Sequence, residues 1–359
     1  MQIGLMGAPF GGKTTFFNLL TGSEYVTGFE GNGEVHRSSA FVPDPRINFL
    51  TTLFRPRKTT FTQIQFKDIP GVRSENGNRA ATARMLDEIR SSDVLVQVVR
   101  AFQTKLVNAV AGNPTPLKEL LDFRLELLLA DIDLLETRIK HINEAKKPPK
   151  GSAFQLALLE EILPVLLLEK PLSSVSLNRE KESLLEEYNF LTKKPFMAVL
   201  NLDEDQLIAG NYPEKEEVIS FAADNRVALI ETCAQIEMEI SQLQPEERAE
   251  FLKDLHLQES GTSRLARAAY EHLGLISFFT VGEDEVKAWT IRKGTTAQKA
   301  AGKIHSDLER GFIRAEVFHY NDLYRLGSTA AVREKGLLRL EGKEYPVQDG
   351  DIINFRFNV

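Results

Sequence analysis

At 359 residues the chain is long enough for two or three domains, and its 42% hydrophobic and 26% charged content suits a core-forming globular protein. A formal net charge of -7 argues against a generally basic nucleic-acid binder, though not against a local basic patch. The single cysteine, Cys233, excludes an internal disulfide framework, no signal-peptide pattern opens the chain and no apolar run reaches membrane-spanning length; the expectation is a soluble cytoplasmic protein without membrane contact.

The first element is an apolar run, Ile3 to Met6, that reads as a buried strand. It enters Gly7-Ala8-Pro9-Phe10-Gly11-Gly12-Lys13-Thr14, the phosphate-loop spacing of Gly, four residues, Gly-Lys-Thr, and a helix follows. Such a loop turns backbone N–H groups toward phosphate oxygens, and the helix N-terminus adds its positive end. Phe10, Gly11, Gly12, Lys13, Thr14 and Thr15 are the candidate nucleotide contacts. Lys13 would reach the terminal phosphates, and the Thr14 hydroxyl would sit on magnesium. An ordinary glycine-rich turn would share this local pattern.

Residues 23–46 carry no period and read as a loop, placed where a nucleotide-sensing switch would lie; Thr27 is its only threonine. Residues 59–67 alternate apolar and polar and predict one strand, ending at Asp68-Ile69-Pro70-Gly71. There Asp68 would hold a magnesium-bound water and the Gly71 N–H would meet the terminal phosphate. A helix over 79–91 and a buried strand over Asp93 to Val99 extend an alternating pattern that predicts a doubly wound parallel sheet.

After Asn113-Pro114-Thr115-Pro116 the apolar residues recur at helical spacing to Lys146, and a second helix starts at Phe154. Two long leucine-rich helices around a proline-glycine break predict a helical, coiled-coil-like hairpin inserted over residues 116–190. The sheet pattern resumes at Pro195 to Leu200 and leads to Asn201-Leu202-Asp203-Glu204. An asparagine at a strand's carboxyl end could pair bidentately with adenine, or could simply cap the next turn. A last strand, Val227 to Ile230, leads to Cys233-Ala234, which would close over the base. From Ile276, short strands around a helix (Thr296 to Glu309) predict a separate small α+β unit; Lys287, Arg292, Lys293, Lys299, Lys303, Arg310 and Arg314 give it positive charge, readable as phosphate-backbone contact or as ordinary surface.

The motif order resembles that of the YchF / Obg-like ATPase family of translation-factor-class P-loop NTPases. Phe278-Phe279-Thr280-Val281-Gly282, Ala288-Trp289-Thr290, Gly311-Phe312-Ile313-Arg314-Ala315, the run from Asp349 to Val359 and Pro43-Asp44-Pro45-Arg46 carry most of the likeness. The resemblance implies an α/β protein in four stretches. These are a P-loop NTPase domain over 1–115, the helical insertion over 116–190, the rest of the NTPase domain over 191–276, and a ubiquitin-like β-grasp (TGS) domain over 277–359. It implies ATP rather than GTP, since the family carries Asn-x-x-Glu where guanine readers carry Asn-Lys-x-Asp; Asn201, Leu202 and Glu204 become the base-side residues. It further implies a slow, magnesium-dependent ATPase switch with a ribosome-associated or stress-related role, meeting ribosome or RNA through the hairpin and the TGS domain. Three departures stand out. Phe10-Gly11-Gly12-Lys13-Thr14 replaces the family's Asn-Val-Gly-Lys-Ser. Asn32 stands near the register of its switch threonine, so that Thr27 would substitute only by a shift of the loop. Val72 to Asn78 is short and lacks the histidine that positions the attacking water in the family. A nucleotide-binding adaptor without turnover, or a GTPase of the Obg class, is the alternative.

Overall fold

The computed structural model describes residues 1–27, 34–42, 44–71, 79–147, 149, 151–255, 257 and 259–358. Its strands are β1 (Gln2–Met6), β2 (His36–Phe41), β3 (Lys58–Thr60), β4 (Gln63–Asp68), β5 (Val94–Arg100), β6 (Phe196–Asn201), β7 (Ala228–Thr232), β8 (Leu275–Val281), β9 (Glu285–Arg292), β10 (Phe312–His319), β11 (Arg339–Glu341) and β12 (Asp351–Phe357). Two compact units form: residues 1–40 with 65–265, and residues 41–64 with 266–359.

The first unit is built on a six-stranded sheet ordered β2-β4-β1-β5-β6-β7. β1 pairs in parallel with β4 and β5, and β5, β6 and β7 continue in parallel. Every residue of β5 is buried, as expected of a central strand covered on both faces. The order changes direction at β1, so the loop after β1 opens at a topological switch point, where open α/β sheets bind ligands. Helix Lys13–Thr21 follows that loop directly.

The insertion leaves the sheet after β5. Helix Pro116–Glu144 starts at a Thr115 cap with proline at its first position. Helix Ser152–Leu167 packs against it through Leu128, Leu135, Leu158, Leu159, Ile162 and Leu166. Asp131, fully buried in the first helix, fastens this insertion. It accepts from the backbone N–H groups of Leu191 and Thr192 (3.0 and 2.8 Å) and from Arg90 Nη1 (3.0 Å), at the end of helix Arg79–Arg90. Satisfying a buried carboxylate with several donors and a cation offsets its desolvation.

The second unit has the sheet order β11-β10-β12-β8-β9-β3. β8 and β9 form an antiparallel hairpin, helix Ala297–Ile304 follows, and β12 returns to lie parallel to β8 and antiparallel to β10, the β-grasp arrangement. The surprise is where its sixth strand and one of its helices come from. β3 pairs in parallel with β9, and helix Pro45–Phe54 buries Ile47 and Leu50 among Phe279, Val286, Phe318, Leu323 and Ile352. Thus the alternating run 59–67, read as one strand, is divided. Its head joins the second sheet and its tail, as β4, the first. The second unit is correspondingly not 277–359 alone. Strand β2 also occupies part of the stretch read as loop, and 235–275 holds three helices, Ala234–Gln242, Pro245–Asp254 and Gly261–His272, followed by the first residue of β8. The helix read over Thr296 to Glu309 is broken into Ala297–Ile304 and Ser306–Arg310, while Glu344 to Pro346 contribute only an isolated bridge, Thr296 to Pro346. Arg46 anchors helix Pro45–Phe54 within its unit: it pairs with Asp44 and Asp349 (2.9 and 2.7 Å) and lies over the Phe279 ring.

Candidate functional site

The phosphate loop connects β1 to helix Lys13–Thr21, and Asp68, Gly71 and Asn201 converge on it from elsewhere in the chain. The parallel register puts Leu5 of β1 beside Asp68 of β4, so the ends of the two strands meet under the loop. The Thr14 hydroxyl donates to Asp68 Oδ2 (2.6 Å). Asp68 is buried, its carboxyl is pushed up by that burial against the pull of Thr14 and Lys13, and its Oδ1 has no hydrogen-bond partner. A hydroxyl beside a carboxylate with an unspent buried oxygen is a hard-oxygen donor set that fits magnesium. No cluster of three or more His, Cys, Asp or Glu suited to a metal occurs among the described residues.

Lys13 is 6% exposed and its Nζ donates to the Ala8 carbonyl (2.7 Å). Burial lowers its pKa to about 8, with Asp68 and Glu119 pulling the other way. Gly71 lies against the same loop: a Cβ there would come within 2.7 Å of the Gly7 carbonyl oxygen. Any side chain at Gly71 would push the loop, so the end of the Asp-x-x-Gly turn and the phosphate loop are packed as one piece.

Asn201 ends β6 and is 4% exposed. Its Nδ2 donates to the Gly11 carbonyl (3.1 Å) and its Oδ1 accepts from the Ala234 N–H (3.0 Å). Gly12, at φ 94°, leaves the room this needs, since a Cβ would sit 2.4 Å from Asn201 Nδ2. The side chain therefore buckles the phosphate loop to the start of helix Ala234–Gln242. One N–H is used on Gly11 and the Oδ1 already accepts one bond, so the bidentate adenine pair read from the sequence would use the remaining N–H and share the oxygen with the Ala234 N–H. Leu202 is packed in the core beneath, its N–H donating to the Thr232 carbonyl (2.8 Å), which leaves only its carbonyl oxygen for a ligand. Asp203 caps helix Glu204–Ala209, and Glu204, first in that helix, is exposed. Cys233 is buried at the N-cap position of helix Ala234–Gln242, its thiol pushed up by burial. Thr15 lies in the first turn of helix Lys13–Thr21. Thr27 is exposed, while residues 28–33 (Asn32 among them), 43 and 72–78 lie outside the described residues.

Phe10 holds φ 64°, a left-handed conformation that asparagine tolerates and phenylalanine does not favour. Phe10→Asn is expected to raise stability by about 1 kcal/mol, read as a shift of the urea midpoint at constant slope. An unchanged or lowered midpoint would show that contacts of the ring outweigh the backbone strain.

Sequence reading missed Glu119. It lies in the first turn of helix Pro116–Glu144 and is 6% exposed; its Oε1 accepts from the Arg100 N–H (3.4 Å). Burial pushes its carboxyl up to about 7, against the pull of Arg100 and Lys13. Its helical position resembles any surface glutamate of an amphipathic helix, and no local signal sets it apart.

The parallel sheet, the loop at its switch point and the Thr14–Asp68 pair define a P-loop NTPase fold, here with a carboxyl-terminal β-grasp unit. Comparison with known proteins places it more closely. The curated protein "Ribosome-binding ATPase YchF" of Bacillus subtilis is 40% identical across 100% of both chains. Its namesake in Haemophilus influenzae is 40% identical over 100% of this chain and 99% of that one. A solved structure, the Schizosaccharomyces pombe YchF GTPase, superimposes with a TM-score of 0.86 at 27% identity, covering 99% of this chain and 97% of the other. The family model YchF-GTPase_C, described as a protein of unknown function, matches residues 275–358. The chain belongs to the YchF family. Among the described residues no helix is long and apolar enough to cross a membrane.

Proposed function

We propose that the protein is a magnesium-dependent ATP-binding switch that hydrolyses ATP slowly and meets the ribosome in a nucleotide-controlled way. The observation that carries this reading is the Thr14–Asp68 pair beside buried Lys13. It is a hydroxyl, a carboxylate and an amine set around one loop, the parts that phosphoryl transfer uses for charge neutralisation and positioning. Bound magnesium would supply charge neutralisation on the phosphates, held from Thr14 and, through water, from Asp68. Lys13 would leave the Ala8 carbonyl for phosphate oxygens, and the Gly71 N–H would mark the terminal phosphate. The relatives' name, ribosome-binding ATPase, supports the ribosomal role, for which the helical insertion and the β-grasp unit offer the surfaces. The setting is the cytoplasm.

Base choice rests on what the pocket lacks. With Asn201 tied to Gly11 and Ala234 and Asp203 capping a helix, guanine's ring N–H and amino group meet no acceptor at the fourth motif position unless exposed Glu204 reaches them. Leaving buried donors unpaired costs about 1–3 kcal/mol, roughly tenfold to a hundredfold in affinity. Calorimetric titration of ATP, GTP and their non-hydrolysable analogues, followed by phosphate release on the same preparation, tests both halves. ATP is expected to bind at least about tenfold more tightly than GTP and to turn over, and Leu202→Lys with Glu204→Asp is expected to move preference toward GTP. Equal affinities would overturn the base assignment; tight ATP binding without phosphate release would leave an adaptor. The solved relative's description as a GTPase is the observation that favours the guanine reading, and the same titration decides it.

A further inference from the structure

Against the phosphate loop lies a cavity of about 210 Å³, with Pro9 and Gly71 on one side and helix Pro116–Glu144 on the other. Glu119, Asp122 and Glu126 line it from one face of that helix, at the spacing of neighbouring turns. Lys13 and Arg100 attract Glu119, and the two outer carboxylates have less positive charge beside them. Asp122 pairs only with Lys118 (3.1 Å), both largely exposed, and Glu126 makes no ion pair among the described residues. Burial and the neighbouring Asp122 raise the Glu126 carboxyl.

A second, independent feature comes from the sheet. Gln97 of β5 also lines the cavity and is fully buried. Its Nε2 donates to the Glu119 carbonyl (2.9 Å), while its Oε1 has no partner. Glu119 Oε2 is likewise buried and unpartnered. Both unspent buried side-chain atoms are acceptors, and native interiors rarely leave such atoms unpaired. The remaining wall, Met85, Phe123 and Ile69, is apolar. Acceptors and negative charge at one end and apolar surface at the other call for a ligand that donates, carries positive charge and has a short hydrocarbon part. The space exceeds that of a bare ion, and the described residues form no metal-binding cluster.

We infer that this cavity binds a small alkylguanidinium or alkylammonium cation, its head on Glu119 and Gln97 and its alkyl part against Phe123 and Met85. The inference does not depend on which nucleotide the protein uses. Calorimetry on the full chain with n-butylguanidinium tests it, with n-butylurea as the uncharged isostere. The guanidinium is expected to bind and the urea not; Glu119→Gln and Gln97→Met should each weaken it by about tenfold, through loss of charge assistance in the first and of an acceptor in the second. Gln97→Met carries the test if circular dichroism shows that Glu119→Gln misfolds. Equal binding of the urea, no binding of either compound at about 10 mM, or unchanged affinity in the folded variants would overturn it.

Discussion

Replacing Lys13 with alanine is expected to weaken ATP binding by about a hundredfold to a thousandfold, on the order of 3–4 kcal/mol, with the fold intact. The magnitude follows from losing two charge-assisted hydrogen bonds to phosphate. Persistence of the fold follows from what the lysine does without a ligand. Its amine is buried and held to one backbone carbonyl, and burial already disfavours its charge. Removing it relieves that cost while giving up one bond and the attraction of Asp68 and Glu119, so the opposing effects nearly cancel. Calorimetry and circular dichroism on the same variant check both parts. Unchanged affinity in a folded variant would remove the phosphate loop from the proposed function.

A fragment of residues 277–359 is expected not to fold by itself, whereas adding a peptide of residues 41–64 should restore it. The fragment lacks β3, and it lacks Ile47 and Leu50, both fully buried. Large-to-small replacement of one such side chain costs about 2–5 kcal/mol, and two of them with a strand approach the whole stability of a small domain. Without them Phe279, Val286 and Ile352 face water. Amide dispersion in a proton–nitrogen NMR spectrum, with and without the peptide, measures this. A well-dispersed spectrum of 277–359 alone would show that helix Pro45–Phe54 and β3 are accessories.

These two cases mark what was legible in the sequence. The phosphate loop, Asp68 and Asn201 were found because each sits at a strand end next to a local pattern. The job of Asn201 was not, because its partners Gly11 and Ala234 come from other strands' loops, and only the sheet order makes them neighbours. Glu119 was hidden by helical periodicity, which distinguishes buried from exposed faces but not one glutamate from another. The division of residues 59–67 was hidden for a different reason. Alternation predicts a strand but not which sheet receives it, and Thr60 finds its partner Glu285 at a separation of 225 residues. Residue patterning encodes local conformation strongly and non-local pairing weakly.

The Asp131 knot has a mechanical consequence. It lies near the middle of helix Pro116–Glu144 and holds that helix to the exit of the insertion and to Arg90. From there the helix runs on to Glu144, a distance of about 20 Å at 1.5 Å per residue. This outer half of the helix is a lever held at its inner end by Asp131. Asp131 is thus a direct link through which a load on the far end would reach Arg90, the last residue of helix Arg79–Arg90.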